Sequence, residues 1–567
     1  MEFYSFSAQS GFDNLTRKRN HGMECAVSLI SNRQPMRSIP SFYLRTVFFT
    51  VFTFSCLAVE AQRPGKLESA MEILKMTYVD TVDEKQLTDE ALRAMLKQLD
   101  PHSVYIPLEE LREMNEPLVG KFEGVGVQFN IHEDTIMVTM PIPGGPSDKL
   151  GIRAGDRIVK IDGENVAGVK ITNNDVFKRL RGAKGTKVQV TIYRRNAPGL
   201  IDYTITRDQI PIFSMDAAIM VAPQIGYIKI SRFADSTPME FRAGLDSLKK
   251  KGATSLVLDL QGNGGGYLNR AVELADEFLS ADKKIVFTRG RTTNPEDFMS
   301  TSVGGWEKGK LVVLIDESSA SASEIVSGAI QDWDRGLIIG RRSFGKGLVQ
   351  KPFQLPDGSM MRVTVAHYYT PSGRCIQKPY VPGEEDEYDL DLSNRYKHGE
   401  LFYADSIHFS DTTAYYTSQK RVVRGGGGIM PDIFVPLDTS NSSTFYSELL
   451  RKNVFNDFCL TYADNNRNQL RQQYSDPEAF NNGFSVTDAL MKDFLNAAYK
   501  AGVKEDSAGL AVSRQVIEMQ VKALIARNLW DLQAYFIVIN KLNQPLQRAI
   551  SAIRDNSFEK MKLGTGK

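Results

Sequence analysis

The chain has 567 residues, too many for one hydrophobic core, and its 42% hydrophobic and 24% charged content reads as globular and soluble, divided into three or four domains. Its 69 Lys and Arg nearly cancel 68 Asp and Glu, which excludes nucleic acid or an anionic membrane surface as a partner called for by charge. Of the four cysteines only Cys375 and Cys459 lie beyond the N-terminal apolar run, and two cannot make a disulfide-built scaffold.

In chain order, the first feature is the apolar run Val47–Val59, preceded by Arg37 and Arg45 and followed by Glu60-Ala61-Gln62. Basic, apolar and small-residue segments in that order predict a secretory signal over about residues 36–61. A retained membrane anchor is the competing reading. Met36 stands just ahead of the run, so the first 35 residues read as an over-called start or an unusual leader. Residues 62–116 are predicted helical, from Leu67, Met71, Leu74 and Met76 and then Leu92, Met95, Leu96 and Leu99, with Asp100-Pro101 as a stop.

Residues 117–207 change to short strands, at Thr135 to Met140, Arg157 to Asp162 and around Val188, Val190 and Ile192, with one helix from Asn173 to Leu180. From about 208 to 437 buried strands alternate with amphipathic helices, which predicts βα units and a largely parallel sheet. Within this part, residues 381–430 read as an inserted, solvated surface segment, with an acidic cluster from Glu384 to Asp391 and a flexible Gly425–Gly428. Residues 438–567 are predicted helical and carry no recognisable chemistry.

Two strand-to-helix junctions hold the unusual residues. Leu260-Gln261-Gly262-Asn263-Gly264-Gly265-Gly266 brings backbone amides to the mouth of a helix, which suits an anion or oxyanion. Tyr267 stands where a third dinucleotide-binding glycine belongs, so dinucleotide binding is a poor reading. Ser318-Ser319-Ala320-Ser321-Ala322-Ser323-Glu324 puts hydroxyls at a helix start, where capping alone explains a serine.

Gly340 to Gly347 nearly reproduces a phosphate-binding loop, but Gly347 replaces the metal-binding hydroxyl and Leu348-Val349-Gln350 continues as a strand, which argues against ATP. A lysine between two glycines, Lys346, can instead be a base if it is neutral. Bringing an ordinary lysine down to near neutrality costs roughly 4 kcal/mol, which burial in a cleft supplies. His102, His132, His367, His398 and His408 lie in no motif, and no spacing resembles a metal site.

These segments resemble the carboxyl-terminal processing (tail-specific) proteases, serine peptidases with a serine-lysine pair. The resemblance rests on Leu99-Asp100-Pro101-His102-Ser103-Val104-Tyr105, Gly124-Val125-Gly126-Val127, Gly151-Ile152-Arg153-Ala154-Gly155-Asp156, Leu258 to Gly266, Ser319 to Glu324 and Phe344 to Gln350, in the family's order over roughly residues 65–380. It implies Ser321 as nucleophile, since the family's serine lies 25 residues before its lysine, here Lys346. It further implies Lys346 as general base and Gln350 as its orienting partner. The amides of Ala322 and of Gly265 or Gly266 would form the oxyanion hole, with Asp332 and Glu324 supporting.

The β-rich part resembles the family's PDZ module. There Val125, Gly126 and Val127 would hold a substrate's terminal carboxylate, and the tail would lie beside the helix carrying Val176 and Leu180. Gln261 and Gly264 depart from the family's common arginine and proline. The implied whole is a multidomain α+β protein with a crotonase-like α/β serine protease core, a PDZ-like domain and helical N- and C-terminal regions, needing no metal or organic cofactor. It would work in the periplasm or cell envelope on proteins with unstructured C-termini, with a homodimer or an adaptor protein as further partners. An inert tail-binding scaffold and an acyl or coenzyme A enzyme on the same fold are the rivals; the first predicts loss of Ser321 or Lys346, and both residues are present.

Overall fold

The computed structural model describes residues 65–195 and 197–564, so the expected leader and signal segment lie outside the described residues. The chain divides into two units, residues 1–87 and 88–567. The described part of the first is a helix Lys66–Thr77, opened by Glu68, which accepts the Gly65 N–H at 2.8 Å, and the start of the helix Glu84–Lys97. Leu67, Ile73, Met76 and Val79 there stay exposed.

In the second unit, a six-stranded sheet runs in the order Met215–Ala222, Ile225–Ile230, Ser255–Asp259, Lys310–Ile315, Leu337–Gly340, Ile433–Phe434. Only the first pair is antiparallel. The runs Ser255–Asp259 and Leu311–Ile315 are buried throughout, which explains why they read as continuous apolar stretches instead of alternating ones. One face is covered by the helices Thr237–Lys250, Leu268–Asp276 and Ala322–Asp332. The other is covered by the last helices of the chain, Gln544–Arg554 and Ser557–Lys560, whose Leu546, Ala549, Ala552, Ile553 and Phe558 pack on Tyr227, Val257, Val312, Leu314 and Ile339. The chain end therefore completes the α/β core, which corrects its expected place in a separate C-terminal region.

A second, antiparallel sheet joins Val104–Ile106, Met360–Tyr369, Lys284–Arg289 and Glu296–Met299, with Leu348–Gln354 also paired to Met360–Tyr369. The β-rich module is an antiparallel sheet of Val127–His132, Thr135–Pro141, Arg157–Ile161, Lys187–Tyr193 and Leu200–Thr206, with Val127–His132 at its edge. The helix Asn173–Leu180 forms as its sequence predicts, capped by Thr172 against the Asp175 N–H. Lys121–Gly124 pairs with Asp208–Pro211 where the chain enters and leaves the module.

Residues 381–430 are not the solvated segment expected of them. Tyr388 and Arg395 are buried, Lys378 and Arg395 both hold Asp391 at 3.0 Å, and Arg342 pairs with Glu400. The glycine run is equally tied down: Gly426 and Gly428 donate to Cys375 O and Ile376 O at 2.7 and 2.8 Å. Helices from Thr444–Arg451 to Leu532–Ile539 then build a separate core around Phe455, Phe480, Phe494, Ile517 and Leu524.

Candidate active site

Ser321 sits where the strand Lys310–Ile315 gives way to the helix Ala322–Asp332. Its φ of 55° and ψ of −112° lie in a region that non-glycine residues rarely enter, the kind of strain that persists at functional turns. The neighbouring serines are otherwise committed. Ser319 Oγ donates to Leu260 O at 2.8 Å and Ser323 Oγ to Asn263 O at 2.9 Å, and both side chains are fully buried, whereas Ser321 is half-exposed.

The glycine loop lies directly against this turn. A Cβ on Gly265 would stand 2.8 Å from Ser321 Cβ and 3.1 Å from the Ala322 nitrogen, and one on Gly266 would strike Phe233 O at 2.2 Å. Both positions therefore require glycine. Buried Asn263 shapes the loop, donating to Ile230 O at 3.0 Å and accepting the Gly265 N–H at 2.8 Å. An oxyanion role for the Gly265 amide thus requires release of that bond. Ala322 is the first residue of its helix, where helix geometry supplies its N–H with no intrahelical acceptor.

Lys346 is brought to Ser321 by two bridges. One is the carboxylate of Glu324: Oε2 accepts the Ser321 N–H at 2.8 Å and the Lys346 N–H at 2.9 Å, while Oε1 accepts from Ser343 Oγ at 2.5 Å and the Gly345 N–H at 2.7 Å. The other is Tyr368, whose hydroxyl donates to Ser321 O at 3.0 Å and to Lys346 O. Glu324 is fully buried, and burial pushes its carboxyl up to about 7 against these four donors.

Burial also holds the Lys346 ammonium below its usual pKa, helped by the nearby Arg362 charge and opposed by Asp100 and Glu324. Lys346 Nζ donates to Gln350 Oε1 at 3.3 Å, and Gln350 Nε2 donates to the carbonyl of His102. The Asp-Pro-His-Ser turn thereby acquires a purpose. Asp100 accepts the His102 and Ser103 N–H groups at 2.9 and 3.0 Å and Thr364 Oγ1 at 2.9 Å, fixing the carbonyl that holds Gln350. The His102 ring, bonded through Nε2 to Tyr388 at 2.9 Å, has its pKa lowered to about 4 by burial and by Lys346, so it is neutral near pH 7.

Asp332 stands at the far end of the Ser321 helix, about 15 Å along its axis. There it pairs with fully buried Arg374 at 2.8 Å and accepts the Ser372 N–H at 2.9 Å. It holds the frame rather than the reacting groups. Tyr368, Tyr388 and Arg395 carry no motif that the sequence could signal, and Ser343 stands in the Gly340–Gly347 loop with nothing to mark it as a partner of Glu324. Arg395 donates to Ser343 O and Phe344 O, both at 2.9 Å, from within residues 381–430.

In the β-rich module, Gly126 adopts φ 76° just before the edge strand, and Val125 O accepts both the N–H and the Oγ of Ser147. A groove of about 590 Å³ separates the edge strand from the helix Asn173–Leu180. Val176 and Leu180 do not line it. Both point into the module's core, at 0% and 4% exposure, and the groove wall is made by Asn173, Phe177 and Arg181.

The comparisons with known proteins follow this geometry. The model for peptidase family S41 matches residues 224–385, a PDZ domain residues 137–194, and the N-terminal domain of the activating protease CtpB residues 56–109. The chain is 34% identical over 344 residues to the carboxy-terminal processing protease CtpA of Bacillus subtilis (strain 168), covering 59% of this chain and 73% of that one. It is 38% identical over 311 residues to the carboxy-terminal-processing protease of Bartonella bacilliformis, covering 54% and 70%. The chain belongs to the carboxy-terminal processing protease family.

This family member is a multidomain α+β serine protease with a PDZ domain. Among solved structures, the photosystem II D1 C-terminal processing protease is 30% identical, covers 56% of this chain and 86% of that one, and superposes with a TM-score of 0.31. Residues 445–531 match a family of unknown function.

Proposed function

We propose that the protease is an exported endopeptidase that receives the C-terminal tail of a protein along the edge strand Val127–His132 and cuts with Ser321, Lys346 and Gln350. The observation that carries the reading is the double bridge by which Glu324 and Tyr368 tie the Ser321 turn to the Lys346 loop. Neutral Lys346 takes the proton of Ser321 Oγ as that oxygen bonds to the scissile carbonyl carbon. The carbonyl oxygen becomes an anion facing the Ala322 amide and the glycine loop of Gly265 and Gly266.

The C–N bond breaks as the Lys346 ammonium returns its proton to the leaving amine. Water then repeats the sequence on the acyl-enzyme and frees Ser321. Gln350 holds the amine in line from its anchor on His102. In the PDZ domain, the Val125-Gly126-Val127 turn receives the tail's carboxylate and the strand adds by backbone pairing. Parallel strands flanked by helices support a crotonase-like core. The basic, apolar and small-residue order of residues 36–61 supports export to the periplasm or cell envelope, where an adaptor protein or a second copy would join through the helical parts.

Cleavage of an unstructured protein with a free apolar C-terminus tests this. The unaltered chain is expected to cut, while Ser321→Ala and Lys346→Ala lose at least about a thousandfold in kcat/KM with unchanged thermal midpoints. Retained activity in either variant would remove that residue from the mechanism.

A further inference from the structure

The region of unknown function packs against the PDZ domain at the edge strand itself. His132, at the end of that strand, faces Asp457 at 3.8 Å, and Asp464 presses on the turn at Gly155, where an added Cβ would lie 2.1 Å from its Oδ1. Two cavities meet along the strand. The first is the groove beside Phe177. The second, of about 330 Å³, opens between Gln128, Asn130 and Met140 on the PDZ side and Asn456, Arg527 and Asn528 on the other. Gln128, Phe129, Asn130 and Asn453 border both cavities.

Successive side chains of a strand point to opposite faces, so a tail paired with Val127–His132 sends every second side chain towards Phe177 and the others to the opposite side. The second cavity opens beside that opposite face of the strand. Its far wall is polar and incompletely partnered. Asn528 is 6% exposed, yet its Nδ2 has no hydrogen-bond partner among the described residues. Arg527 donates to Asn456 Oδ1 at 3.1 Å, and no carboxylate lies within ion-pair distance of it among the described residues. Burial holds the Arg527 pKa below its ordinary value, as expected of a desolvated cation without a counterion. A carboxylate brought by a ligand would supply both missing partners.

We propose that the helical region is the second wall of the peptide groove, and that Arg527 and Asn528 select tails bearing an Asp or Glu side chain at the positions facing away from Phe177. This rests on the reading that tails add to Val127–His132. The test is binding of fluorescent decapeptides with a free apolar C-terminus to the full chain carrying Ser321→Ala, with one Glu, Gln or Lys moved along the last five positions. Glu is expected to bind on the order of tenfold more tightly than Gln at alternate positions only, with the preference shrinking at high salt.

Arg527→Gln is expected to abolish the preference, and Arg527→Glu to transfer it to the Lys peptides. A scan of the Arg527-intact chain without two-residue periodicity or salt dependence would overturn the proposal without any further variant. A Glu preference that survives Arg527→Gln would do the same, leaving tail binding intact. Equal binding of C-terminally amidated peptides would overturn tail capture itself, and this inference with it.

Discussion

Glu324 illustrates how much one buried side chain settles. Its two oxygens gather four donors from both halves of the site, so no other residue type of that size fits. Glu324→Gln keeps the shape but turns an NH2 group towards N–H donors; we expect it to cost about 1–3 kcal/mol and at least about tenfold in kcat/KM. Because the folded-state pKa of about 7 exceeds the ordinary 4.5, the group's contribution to stability is full below pH 4.5 and declines as pH rises to about 7. Chemical denaturation of the Gln variant should show that slope flattened. Lys346 gives the opposite sign in activity. Its lowered pKa means kcat/KM rises with pH as the amine becomes neutral, with a midpoint below 10.5. A profile flat from pH 6 to 10 would remove the amine from the rate-determining proton transfer.

At the scale of elements, the unexpected one is the segment that reaches back over the Lys346 loop. Arg395 grips two successive carbonyls, at Ser343 and Phe344, and anchors on Asp391. Only a planar fork spans that arrangement. Arg395→Ala, and Arg395→Lys as well, should lower kcat by about tenfold in single-turnover cleavage while affinity for the tail is retained; a fall in affinity alone would assign the segment to binding. The sequence could not reveal this, because the acidic residues around Tyr388 advertise solvent while one of them, Asp391, is held by Lys378 and Arg395. Helices such as Asn173–Leu180 and Ala322–Asp332 were legible, since caps and apolar spacing are local. The same spacing misled at Val176 and Leu180. Periodicity tells which residues face a core, and the groove is lined by Phe177, the next one over.

For the molecule as a whole, the decisive feature is the pair of final helices lying on the central sheet. Burying Leu546, Ile553 and Phe558 contributes roughly 1.5–3 kcal/mol each, a sum comparable with the ~5–15 kcal/mol that holds a typical domain together. A chain ending at Asn543 is expected to lose its cooperative thermal transition, and one that melts normally would show the helices to be dispensable. Amphipathic residues 544–560 were readable as a helix, but an apolar face does not say which distant sheet it covers.

That closing contact also sets a timetable. The segments that meet at Ser321 run from Asp100 to Arg395, and the sheet beneath them is finished by residues near the end of the chain. A polypeptide still emerging from the ribosome has one face of that sheet bare and its reactive groups unassembled. Proteolytic activity is therefore expected to appear only after residues 544–560 have docked on the sheet, so the order of synthesis itself delays the assembly of the reactive groups.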